Sequence, residues 1–182
     1  GLKPWQVARL GVARSYQDLR LFTHMTVREN VLAATEVSSW FWQPGGARAR
    51  AQRRQRAEAA MEATGLTAVA DARAVDLAYA ERKFLSMARI LAAEADIWLL
   101  DEPASGLDLA SRIRFGTLLK DAQARGVAIC LIEHNLDVVV ELSNRIAFLD
   151  QGKVLAEGDP DTILKDPALA AIYFGDRPQE AA

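Results

Sequence analysis

Ile97-Trp98-Leu99-Leu100-Asp101-Glu102-Pro103 decides the fold class of this chain. Four consecutive apolar residues predict a strand buried on both faces, as central strands of parallel sheets are. The run ends on two carboxylates, and open α/β sheets bind their ligands at the carboxyl ends of the strands. One carboxylate at such a rim can hold Mg²⁺ through its water shell. Its neighbour can orient or deprotonate an attacking water. A solvated acidic pair at a strand end fits the same residues, so the stretch has to be weighed with its surroundings.

Downstream, Asp108 closes Ala104-Ser105-Gly106-Leu107-Asp108. It either serves the same rim or caps the helix that starts at Leu109. Residues 109–125 predict an amphipathic helix with Leu109, Ile113, Leu118, Leu119 and Ala122 near one face, closed by Gly126. Val127–Ile132 reads as a second buried strand, followed by Glu133 and His134. Parallel neighbours deliver their ends to one rim, so His134 can approach Asp101 and Glu102; a purely structural histidine is the alternative. A helix over about 136–142, a hairpin of Arg145–Asp150 and Lys153–Glu157 around Gln151-Gly152, and two Asp-Pro helix starts at 159–160 and 166–167 complete the chain.

Upstream, residues 11–17 read as a short strand running into a loop that ends on Gln17, whose neutral amide can ligate a metal or sense a bound water. Thr26 and Glu29 form a capping box opening a helix through about Ala34. Residues 38–46 are an irregular aromatic connection. Residues 47–64 are good helix formers stopped by Gly65, and residues 80–93 form a further helix. Strands alternating with helices in the second half imply an α/β core with a parallel sheet. Residues 21–93 are mostly helical and read as a separate subdomain.

The 182 residues, 51% hydrophobic and 25% charged, suffice for one sizeable core. A net charge of -2 gives no strong field toward nucleic acid or acidic lipid, and no nucleic-acid partner is expected. The single cysteine, Cys130, excludes an internal disulfide and is expected to be a small buried hydrophobe. No apolar stretch approaches the roughly 20 residues that span a bilayer. No signal-peptide pattern opens the chain, so any membrane connection is expected to run through partner proteins. Arg48, Arg50, Arg53, Arg54 and Arg56 read as a solvated helix face balanced by Glu58 and Glu62. Trp40, Phe41 and Trp42 either touch a membrane partner or pack the insert.

The order and spacing of these segments resemble the ATP-binding subunits of ABC transporters over nearly the whole chain. Gln17 is similar to the Q-loop glutamine, and Leu77-Ala78-Tyr79-Ala80-Glu81 to the signature segment, followed by its helix through Leu91. Ile97–Glu102 resembles the Walker B strand with its catalytic glutamate, Ala104–Asp108 the D-loop, and His134 the switch histidine. Within the family the chain looks most like the subunits of branched-chain amino acid importers. The likeness lies in residues 17–22 and 26–31, the long insert before the signature, the signature tyrosine, and the ending over 166–175.

The resemblance implies an α/β, phosphate-loop NTPase-like parallel core, N-terminally truncated, with an inserted helical subdomain. Residues 1–20 would end the core at the Q-loop, 21–93 would be the helical subdomain with the signature, and 94–182 the remaining core. Two such subunits, identical or related, would sandwich two ATP molecules. Asp101 would hold Mg²⁺ with Gln17 as a further ligand, Glu102 would activate water, and His134 would meet the γ-phosphate. Leu77, Ala78, Tyr79, Ala80 and Glu81 would cap the ATP of the opposite subunit from a helix N-terminus, with Asp108 beside the nucleotide. Permease subunits, and indirectly a solute-binding protein, would be partners. The subunit would sit peripherally at the cytoplasmic face of the plasma membrane.

Two departures stand out. The 182 residues contain no G-x-x-x-x-G-K-S/T phosphate loop. The only Gly-Lys pair, Gly152-Lys153, precedes Val154 inside the hairpin. The family places its loop well before the Q-loop, so it is expected ahead of Gly1, and these residues alone are expected not to hydrolyse ATP. The signature also departs from the common L-S-G-G-Q. Ala78 lacks a hydroxyl, Ala80 adds a methyl where glycine allows close backbone approach, and Glu81 adds a negative charge that Arg82 is expected to offset. Weaker hydrolysis is the expectation. A non-transport ABC ATPase, disfavoured by the short insert over 38–76, and a non-catalytic module capping a partner's ATP are the alternatives.

Overall fold

The computed structural model describes residues 1–35 and 46–165. They fall into two compact units, Gly1–Glu133 and His134–Ala182. In the first, helix α1 (Pro4–Arg9) leads into strand β1 (Val12–Arg14), which joins β2 (Ile97–Asp101) and β3 (Ala128–Ile132) in a parallel sheet of order β1-β2-β3. The register pairs Val12 with Ile97 and Asp101 with Ile132, so the two strand ends reach one rim together.

Burial of the central strand is one-sided. Trp98 and Leu100 are 2% and 1% exposed, whereas Ile97 and Leu99 are 40% and 37% exposed. Side chains alternate along a strand, and among the described residues only the Trp98–Leu100 face is covered. Burial on both faces is therefore not what the apolar run achieves here. Cys130 pairs with Leu99 in register and shares the open face, which makes it exposed rather than a buried hydrophobe.

Helix α5 (Leu109–Ala124) makes the crossover from β2 to β3. Phe115, Leu118, Leu119 and Ala122 are buried, but Leu109 and Ile113 are 66% and 63% exposed. At about 100° per residue, Leu118 lies roughly half a turn around the helix from Leu109. The two ends of the expected apolar stripe therefore face opposite ways.

Between β1 and β2 stand α2 (Val27–Ala34), α3 (Ala47–Ala63) and α4 (Tyr79–Ala92), with two short 3₁₀ turns. The capping box opens α2 as expected: the Glu29 N–H donates to Thr26 Oγ1 at 3.1 Å and the Thr26 N–H to Glu29 Oε2 at 2.8 Å. Asn30 is fully buried and pins the loop before it. Its Oδ1 accepts the Phe22 N–H at 2.9 Å and its Nδ2 donates to the Phe22 carbonyl at 3.0 Å. Arg28 reaches Asp71 at 3.2 Å and also pairs with Glu58, tying α2 to α3. On the Arg-rich helix, Arg56 pairs with Glu94 at 2.9 Å while Arg48, Arg50 and Arg54 are exposed, a solvated and partly paired face. Gly65 ends α3 at φ +66°. Phe84 of α4 meets Phe115 of α5 with ring centroids 6.4 Å apart, and the Arg114 guanidinium lies 3.6 Å over the Phe84 ring.

The second unit holds α6 (Leu136–Leu142), the antiparallel hairpin β4 (Ile146–Asp150) and β5 (Lys153–Gly158), and α7 (Pro160–Leu164). Gln151 and Gly152 have φ of +45° and +77°, the double positive turn that fits tight hairpins. Ile146 and Ile163 form its core with Val139, Val140, Phe148 and Ala156. Asp159 caps α7 through the Thr162 N–H at 3.0 Å. The aromatic run at 40–42 and the ending over 166–175 lie outside the described residues. No helix among the described residues is long and apolar enough to cross a membrane.

Candidate functional site

The site grows from the carboxyl end of β2. Past the last strand pair, the Ser15 N–H donates to the Leu99 carbonyl at 2.9 Å, and the Asp101 N–H donates to Ser15 Oγ at 3.0 Å. These two bonds hold the segment after β1 against the rim. Gln17 thereby meets Glu102, with Nε2 to Oε2 at 3.5 Å, the outer limit of a hydrogen bond. Arg14 stands 3.9 Å from the Asp101 carboxylate.

Glu102 has φ +43°. A left-handed backbone on a side chain other than glycine costs about 1–2 kcal/mol and persists where neighbours over-determine it. Three bonds do so here, one of them a longer contact from the Ser105 N–H to the Glu102 carbonyl at 3.3 Å. The Glu102 N–H donates to the Ile132 carbonyl at 2.9 Å. The Glu102 carbonyl accepts from Lys83 Nζ at 2.8 Å.

Among the described residues no three metal-ligating side chains cluster. The candidate donors at the rim are the Asp101 carboxylate at the end of β2 and the amide of Gln17, whose nitrogen is turned to the neighbouring Glu102. Mg²⁺ commonly takes one or two protein carboxylates, with phosphate oxygens and water completing its shell. The donor set fits that ion when phosphates are bound beside it.

The signature segment opens α4. Ala78 occupies the N-cap and offers no side-chain acceptor. The N–H groups of the first turn have no intrahelical acceptor, and such a terminus suits an anion. The Glu81 carboxylate folds back to accept the Ala78 N–H at 2.8 Å. The hydrogen bonds of Arg82 go to backbone carbonyls. Its Nε donates to the Leu77 carbonyl at 2.9 Å and its Nη2 to the Val75 carbonyl at 2.8 Å, bracing the backbone that leads into the helix. Leu77 is buried beneath.

Tyr79 lies against the D-loop of its own chain. Its hydroxyl donates to the Ser105 carbonyl at 3.3 Å, and a Cβ on Gly106 would fall 2.9 Å from the tyrosine ring. Glu133 holds the start of the same loop by accepting the Ala104 N–H at 2.9 Å. Asp108 caps α5 through the Ser111 N–H at 2.8 Å. That bond holds its carboxyl below the usual carboxylate range.

The structure therefore brings together Gln17, Asp101 and Glu102. It also joins the signature segment to the D-loop through Tyr79. His134 opens the second unit, two positions after β3, and its role rests on the sequence. Gly152-Lys153 lies in the hairpin turn with no helix behind it, as expected for a pair that is not a phosphate loop.

Behind Gln17 a cavity of about 380 Å³ is lined by Arg14, Tyr16, Arg20, Phe22 and Arg89 among others. Burial lowers the pKa of Arg89, whose Nε–H has no hydrogen-bond partner.

Sequence reasoning missed Ser15, Glu133 and Lys83. Lys83 had a readable signal: it stands four and seven residues before Met87 and Ile90, on the buried side of α4. Ser15 and Glu133 had none.

The sequence profile described as ABC transporter matches residues 3–105. The chain is 35% identical, over 97% of its length and 72% of theirs, to the "High-affinity branched-chain amino acid transport ATP-binding protein LivG" of Escherichia coli (strain K12) and of Salmonella typhimurium. It is 31% identical, over 93% of its length and 67% of the relative's, to the "Lipopolysaccharide export system ATP-binding protein LptB" of Acidithiobacillus ferridurans. Its fold is that of the ADP conformation of an ATP-binding cassette of an ABC transporter (TM-score 0.78, 23% identity, covering 96% of this chain and 72% of that one). A nucleotide-free cassette gives a TM-score of 0.79 at 22% identity, covering 96% and 73%.

Proposed function

The chain belongs to the ABC transporter ATP-binding family, and from that premise we propose that it powers import of branched-chain or related amino acids by hydrolysing ATP at the Asp101–Glu102 rim. The observation that carries the reading is the meeting of Gln17 with Glu102 at the end of β2, 3.5 Å apart across 85 residues of sequence. The names of the LivG relatives support the solute class.

In this reading Glu102 takes a proton from a water as its oxygen bonds to the γ-phosphorus and the bond to ADP breaks. Asp101 and the carbonyl oxygen of Gln17 would hold Mg²⁺, which when bound neutralises charge on the phosphate oxygens. His134 would contact the γ-phosphate. Residues 77–81 would offer the first turn of α4 to the ATP of a second subunit, identical or related, with Asp108 nearby.

ABC ATP-binding subunits work with transmembrane permeases. The basic cavity behind Gln17 is the proposed contact with them, because it would put a permease one residue from the site. A solute-binding protein would act indirectly, and the subunit would sit at the cytoplasmic face of the membrane. The proposed division is 1–20, 21–93 and 94–182, supported by the packing of α2, α3 and α4 on one another.

The test is reconstitution with its permeases and solute-binding protein in proteoliposomes. Leucine, isoleucine or valine should stimulate ATP hydrolysis several-fold. Stimulation by another solute class, with none by these, would refute the assignment.

A further inference from the structure

We propose that Lys83 is a positioning residue for hydrolysis. From the signature helix it holds the backbone of Glu102 in the left-handed conformation that turns the carboxylate to Gln17. The inference rests on the reading of Glu102 as the group that activates water.

Lys83 is 5% exposed, and its Nζ donates to the Glu102 carbonyl at 2.8 Å. A buried ammonium is costly unless it is bonded, and a charge-assisted bond of this length is among the stronger kinds. The Tyr79 ring, 5.6 Å from Nζ, adds cation–π support from the helix start.

Glu102 needs such a hold. Besides its positive φ, it precedes Pro103, and residues before proline prefer an extended, negative φ. The Ile132 bond fixes only its N–H. The Ser105 N–H also reaches the Glu102 carbonyl, at 3.3 Å, so without the shorter, charge-assisted Lys83 bond the peptide joining Glu102 to Pro103 keeps only this weaker hold.

The placement of Lys83 has a consequence. It stands two residues after Glu81, on the helix whose start would cap the nucleotide of the opposite subunit. One rigid helix thus touches one nucleotide with its first turn and sets the glutamate serving the other with its second. Movement of α4 when the first nucleotide binds moves the support of Glu102.

The experiment compares Lys83→Met, Lys83→Gln and Lys83→Arg in the assembled transporter, each alone and with Glu102→Gln. Lys83→Met should lower kcat for ATP about tenfold to a hundredfold, the scale of a small misplacement of a catalytic group, with KM little changed. Lys83→Arg and Lys83→Gln, which keep a donor, should recover part of the loss; they also carry the test if Lys83→Met does not fold. In the Glu102→Gln background, Lys83→Met should change neither the residual rate nor ATP affinity. An unchanged kcat, a parallel rise in KM, or additive losses would overturn the role of Lys83. Full hydrolysis by Glu102→Gln alone would overturn the reading of Glu102, and the inference with it.

Discussion

Replacing Gly106 by alanine perturbs two things that the structure separates. Gly106 has φ +74°, where an L side chain costs about 1–2 kcal/mol. Its new Cβ would also lie 2.9 Å from Tyr79 Cε1 and 3.3 Å from the hydroxyl, inside the roughly 3.5–4.0 Å of normal carbon contact. Tyr79 is half exposed and can swing away, which forfeits its bond to the Ser105 carbonyl, about 0.5–1.5 kcal/mol. The sum is about 1.5–3.5 kcal/mol. For a chain of this size that is a fall in Tm of roughly 3–14 °C. In a Tyr79→Ala background only the backbone cost remains. A double-mutant cycle on the intact subunit, read by thermal denaturation, should therefore show coupling near 1 kcal/mol. Additivity within about 0.3 kcal/mol would show that Tyr79 does not rest on the D-loop.

Restoring Ala80→Gly in the assembled transporter should raise ATPase activity by removing a methyl at the first turn of α4; an unchanged rate refutes the reading of the altered signature. Arg82→Ala releases the Leu77 and Val75 carbonyls, so amide hydrogen exchange should quicken over residues 75–79, while Arg82→Lys, with one point charge, should hold only one of them. The Asp108 cap makes an acid limb. Its folded pKa is depressed, so its contribution is present above the usual carboxylate pKa and is lost as pH falls through the depressed value. Asp108→Asn keeps an acceptor but should flatten that limb in pH-dependent denaturation.

Much of the fold is legible because its signals are local. The Thr26–Glu29 box, Gly65 at the end of α3 and the Gln151-Gly152 turn all form as their residue types dictate. What sequence misjudged depends on what covers a surface. The run Ile97–Leu100 is apolar on both faces, yet among the described residues only Trp98 and Leu100 are covered. The open face then exposes Cys130 as well. The order of the site residues was legible through family resemblance. The positive φ of Glu102 and the Arg82 brace were not, because each depends on a partner that pattern alone does not name; the spacing of Lys83 places it on the buried side of α4 but does not name Glu102 as its acceptor.

The most direct test of the account is Glu102→Gln in the assembled transporter, with ATP affinity and hydrolysis measured on the same sample. The amide keeps the size and the contact with Gln17 but cannot take a proton from water. Hydrolysis should fall about a hundredfold or more, the usual worth of a general base, with ATP affinity retained. Hydrolysis at the unsubstituted rate would contradict the assignment of the water-activating role to the end of β2.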